Sequence, residues 1–122
     1  MASYVNRGIN AAALTRSQWL NIVATSVTAR AGGGKANATP ITSANARIAT
    51  AATAADSVLV PSPRAGDMMF LRNDGAASAQ VFGAGTATIN GADTATGVAL
   101  ANGKIALLQS FVAGAWLLTV LN

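Results

Sequence analysis

The stretch Ser57-Val58-Leu59-Val60-Pro61-Ser62-Pro63-Arg64-Ala65-Gly66-Asp67-Met68-Met69-Phe70-Leu71-Arg72-Asn73-Asp74-Gly75 decides the fold class. It opens with a short apolar run of strand length, Ser57 to Val60. Two prolines then remove two ladder donors and end the run. Arg64-Ala65-Gly66-Asp67 reads as a turn. Met68 to Asn73 is the next strand, and Asp74-Gly75 is expected to close it as a hairpin.

The same punctuation continues on both sides. Arg47 to Thr50 reads as a strand before this stretch. Ala79 to Phe82, Thr86 to Ile89, Gly97 to Leu100, Ile105 to Phe111 and Trp116 to Leu121 read as strands after it. Asn90-Gly91 and Asn102-Gly103 supply further turns. About eight short strands at roughly 8–12-residue spacing predict a small all-β domain over 46–122. The expected architecture is an antiparallel β-sandwich or barrel, jelly-roll-like or tulip-like. Ile105 to Leu121 approaches the length of a short transmembrane helix. Val112-Ala113-Gly114-Ala115 near its centre reads as a turn, so two paired strands are expected and no membrane span.

Residues 1–45 differ in kind. They read as an N-terminal arm, bounded by Gly32-Gly33-Gly34 and Pro40. Thr15-Arg16-Ser17-Gln18 fits a capping box. Trp19, Ile22, Val23 and Val27 follow at helical spacing, and the triple glycine would stop a helix there. The β-branched Ile22, Val23, Thr25, Val27 and Thr28 argue for an extended strand instead. Both readings stand on the sequence. The first residues contain no apolar run of signal-peptide length.

Composition narrows the chemistry. The 122 residues include no Cys, no His and no Glu, and the acids are Asp56, Asp67, Asp74 and Asp93. Thiol nucleophiles, imidazole bases, disulfides and Cys/His metal sites are thereby excluded. The aspartates fall in or beside predicted turns, where Asp caps backbone N–H groups, so neither paired-carboxylate catalysis nor calcium binding is expected. Gly32-Gly33-Gly34-Lys35 lacks the earlier glycine and following hydroxyl of a phosphate loop. Gly83-Ala84-Gly85 lies between strands and opens no helix. No enzyme, cofactor or small-molecule substrate is expected.

The apolar share is 52%, but 29 of those residues are alanines, leaving 34 larger side chains. Only 12 of the 34 lie in residues 1–55. A core this thin in a small domain points to oligomerisation as reinforcement. Residues 1–55 carry five cations (Arg7, Arg16, Arg30, Lys35 and Arg47) and no acid. That field is too dilute for a polybasic patch, and nucleic acid is not an expected partner. Tyr4 and Trp19 are expected to anchor the arm in an apolar pocket.

Alternation carries the sharpest signal. Met68-Met69-Phe70-Leu71 puts apolar groups on both strand faces. Trp116, Leu118 and Val120 share one face of the last strand, and Leu117, Thr119 and Leu121 share the other. An antiparallel sheet open to water on one side shows a polar face there. The expected cover is a neighbouring subunit or the arm, unless the strand sits centrally in a sandwich with the arm packed over it.

The chain resembles small β-domain virion proteins of tailed bacteriophages. The resemblance rests on Ala54-Ala55-Asp56-Ser57-Val58-Leu59-Val60-Pro61, Ala65-Gly66-Asp67, Arg72-Asn73-Asp74-Gly75 and Gln80-Val81-Phe82. It continues through Thr88-Ile89-Asn90-Gly91, Val98 to Lys104, and Ala113-Gly114-Ala115-Trp116. It is most like head decoration, or cement, proteins, and such domains also occur in tail-fibre and spike accessory proteins. The resemblance implies a homo-oligomer, dimer or trimer, on the outer capsid surface. It would bridge and stabilise major capsid protein subunits after synthesis in the bacterial cytoplasm. The alternative is a tail-fibre or spike tip domain for host-surface recognition. The expected contact residues, to capsid or sister subunit, are Tyr4, Arg7, Arg16, Trp19, Arg30, Lys35, Met68, Phe70, Trp116 and Leu118.

Overall fold

The structure is a computed structural model that describes residues 23–92 and 95–122. The strands are β1 (Val23–Thr28), β2 (Thr39–Pro40), β3 (Asn45–Thr50), β4 (Ser57–Val60), β5 (Met68–Asn73), β6 (Ala79–Gly83), β7 (Thr88–Ile89), β8 (Val98–Leu100), β9 (Ile105–Val112) and β10 (Ala115–Val120). No helix occurs among the described residues. Val23–Thr28, for which the sequence leaves both helix and strand open, is a strand. Its β-branched residues suit a pleated edge better than a helix. The proposed cap at Thr15 and Gln18 lies outside the described residues.

The ten strands form two sheets, ordered β1-β3-β5-β9-β10-β7 and β2-β4-β6-β8. Strands β1 to β9 alternate between them, β10 stays in the first sheet, and β1, β3 and β5 run parallel, as do β2, β4 and β6. The chain therefore winds through three stacked coils, β1–β2, β3–β4 and β5–β6. Residues 23–40, expected within the arm, provide the first of these. Antiparallel strands then close the stack, with β8 on β6, β9 on β5 and β10 on β9. This is a short β-solenoid with an antiparallel cap, not the expected antiparallel sandwich or barrel.

The difference lies in what the turns join. Asp74-Gly75 does not close a hairpin. The Asn73 side chain accepts from Gly75 N at 2.9 Å and donates to Ala77 O at 2.9 Å and Leu100 O at 2.8 Å. That fully partnered buried amide turns the chain across to the second sheet. Pro61 to Asp67 carries it back as an arch. Asn102-Gly103 likewise bridges sheets, between β8 and β9. Only Ala113-Gly114 makes the expected hairpin, between β9 and β10.

The core is a narrow slot between the sheets. Ala46, Ile48, Met69, Leu71, Ala106, Leu108, Trp116 and Leu118 face inward from the first sheet, and Val58, Val60, Val81 and Leu100 belong to the second. Trp116 fits because its indole N–H donates to Pro61 O at 2.8 Å. At the corners the coils touch through backbone. A Cβ on Gly75 would lie 2.4 Å from Ala51 N, and one on Gly33 would lie 2.3 Å from Ala55 O.

Two substitutions test this packing by urea unfolding. Gly75→Ala is expected to lower stability by about 1–3 kcal/mol, because the obstacle is backbone and cannot rotate away. Leu108→Ala, in the centre of the slot, is expected to cost about 2–5 kcal/mol.

Candidate functional site

Period-two alternation sends every second residue of β5, β9 and β10 to the outside of the first sheet. Register then assembles them into rows. Met68, Gln109 and Leu117 lie side by side, and Phe70, Leu107 and Thr119 form the next row. Arg72 is beside Ile105, and Leu121 N donates to Ile105 O at 2.8 Å. Phe111 continues the face toward the β9–β10 turn. Met68 is 53% exposed, Phe70 37%, Phe111 68%, Leu117 52% and Leu121 51%. These side chains form an apolar band whose inner counterpart is the core itself.

A charged corner borders the band. Asp74 accepts from Arg47 Nε and Arg72 Nε, each at 2.6 Å. Arg47 also donates through Nη1 to Thr25 O at 2.9 Å, so one side chain of β3 links β1 to the end of β5. The guanidinium of Arg72, and then that of Arg47, hold the Asp74 carboxyl below its usual range. Such exposed pairs are screened by salt and orient side chains more than they stabilise. Asp56 has a different environment. It is buried at the β3–β4 corner, accepting from Thr53 Oγ1 at 2.7 Å and from Ala52 N at 2.8 Å. The Thr53 hydroxyl, followed by the Ala52 N–H, lowers its pKa against the opposing effect of burial. Both aspartates are bound to their own fold, which is a structural use of carboxylate.

A groove of about 490 Å³ opens beside the band, lined by residues that include Ile41, Ala44, Pro61, Asp67, Met68 and Trp116. Its carboxylate, Asp67, already accepts from Arg64 N at 2.9 Å. Among the described residues, no three Asp, Glu, His or Cys side chains gather as a metal site.

The expected contact residues separate into groups. Met68 and Phe70 belong to the outer band. Trp116 and Leu118 face the core and are buried. Arg30 is exposed and its backbone forms an isolated bridge with Ser57, and Lys35 Nζ donates to Gly85 O. Tyr4, Arg7, Arg16 and Trp19 lie outside the described residues, as does Asp93. Sequence reading missed Leu107, Gln109 and Phe111, although the alternation of β9 from Ile105 to Phe111 was available to find them. It also missed the Arg47–Asp74–Arg72 cluster, which only the parallel pairing of β3 with β5 creates.

No protein family, curated protein or solved structure matches this chain.

The two aspartates give a signed pH dependence. Their folded-state pKa values lie below the ordinary 3.8. Their stabilisation is therefore fully present above that value and lost as pH falls through the folded values. Thermal unfolding is expected to be flat from neutral pH to about pH 5 and to weaken below about pH 4. Asp56→Asn should lower the unfolding temperature at neutral pH and shrink the acid limb. An unchanged acid limb would remove Asp56 from the account.

Proposed function

We propose that this protein is a structural virion component that decorates and stabilises a phage capsid by binding across major capsid protein subunits. The observation that supports this reading is the apolar band outside the first sheet, in a chain whose charged residues are only 10% of the total. Contiguous exposed apolar surface of this kind marks contact with other protein. The solenoid holds the band on paired strands, so docking orders little additional backbone. The contribution is then mechanical. A protein that binds only the assembled shell stabilises it by mass action. Repetition over a symmetric surface multiplies modest contacts through avidity. Basic residues such as Arg30 and Lys35 suit acidic patches on the shell.

Mixing the full chain with purified shells tests this directly. Expected are saturable co-sedimentation with expanded shells, many copies per particle by quantitative mass spectrometry, and a higher shell disruption temperature. Absence of binding overturns the proposal. A handful of copies confined to the tail overturns it in favour of the fibre or spike reading.

A further inference from the structure

We propose that the apolar band on the first sheet is covered by a second copy of this chain, across a two-fold axis passing near Leu107 and Gln109 of β9. Area is the first argument. At about 200 Å² for a whole large apolar side chain, the exposed fractions of Met68, Phe70, Phe111, Leu117 and Leu121 leave on the order of 500 Å² uncovered. Half-buried Ile105 and Leu107 add to it. That approaches the roughly 800 Å² per partner of a stable interface.

Charge decides between occupants. Arg47 and Arg72 share one aspartate, so the corner beside the band carries net positive charge. Residues 1–22 hold Arg7 and Arg16 and no acid, which makes them a poor electrostatic match for that corner. A two-fold axis through β9 removes the conflict, because it sends the two arginine corners to opposite ends of the interface. Each would then lie toward the Phe111 end of the partner, where Arg64 and Asp67 of the adjoining turn offset each other's charge.

The centre of the band is also self-complementary. Gln109 sits between Met68 and Leu117 on the neighbouring strands, and its amide has no hydrogen-bond partner among the described residues. An amide carries both donor and acceptor, so it can pair with its own copy across an isologous axis. Leucine at 107, one row away, meets an apolar counterpart in the same way.

The inference concerns the free protein: the band is the same surface that the capsid reading uses, so the second copy covers it until the shell displaces that copy. The test uses the full chain, whose lack of cysteine gives a clean background. Light scattering after size exclusion is expected to give twice the chain mass. Leu117→Arg, or Thr119→Arg as a second exposed position, should weaken dimerisation at least tenfold with an unchanged circular dichroism spectrum. Gln109→Cys should form a disulfide-linked dimer on mild oxidation, since bridging requires Cα atoms within about 7 Å. Ala99→Cys, exposed on the second sheet, should not. A monomeric mass overturns the proposal, as does a dimer that cross-links through position 99 and not 109. A monomer whose position 109 thiol becomes reactive only after removal of residues 1–22 overturns it in favour of the chain's own N-terminal segment as the cover.

Discussion

Parallel strands in successive coils sit about 4.8 Å apart, and the corners joining the two sheets must stack at that same spacing. A corner with a bulky inward side chain cannot do so. Here Gly75 lies against Ala51 and Gly33 against Ala55, with the missing side-chain volume filled by backbone from the next coil. Hydrogen bonds such as Ala77 N to Ala51 O at 2.8 Å and Asp74 N to Ile48 O at 2.9 Å depend on this approach. The ladders, the slot-like core and the outer rows all inherit their register from it. The 29 alanines are then partly a corner and slot requirement, and a thin core is the natural result of two sheets held so close.

The strands were legible, and their partners were not. Ser57–Val60 and Met68–Asn73 coincide with the expected strands, because prolines, Asp and Gly bound them on both sides. The alternation of β5 also shows two apolar faces; Met69 and Leu71 are buried in the core, whereas Met68 and Phe70, expected to be covered as well, are exposed in this chain. Parallel pairing left no comparable mark. Equivalent positions Val23, Asn45 and Phe70 are 22 and 25 residues apart, and Thr39, Val58 and Val81 are 19 and 23 apart. A repeat so uneven shows no fixed period. The same Asx-Gly chemistry serves a hairpin and an arch between sheets alike, and the side chain that distinguishes them at Asp74-Gly75 is the preceding Asn73.

The candidate surface was half legible for the same reason. Met68 and Phe70 could be found from one strand. Trp116 and Leu118 were taken from the correct strand but lie on its inner face. Which face of β10 is covered depends on how β9 and β5 register beside it, and that is tertiary information. The charged corner is likewise a product of register. Arg47 and Arg72 are 25 residues apart in sequence and direct partners in the sheet, where Asp74 relieves their repulsion.

The antiparallel cap has an architectural consequence. Because β8 and β9 run against the direction of β6 and β5, the parallel stack ends there, and the cap bonds to the last coil and to the arch that leads into it. A coil inserted ahead of β5 would add one strand to each sheet and widen the outer face by about 4.8 Å, leaving β9, β10 and their turn unaltered. Chain length thus acts as a ruler for the breadth of this surface. The terminus that carries most of the apolar band can be kept constant while the distance between it and the first coil is set by the number of windings.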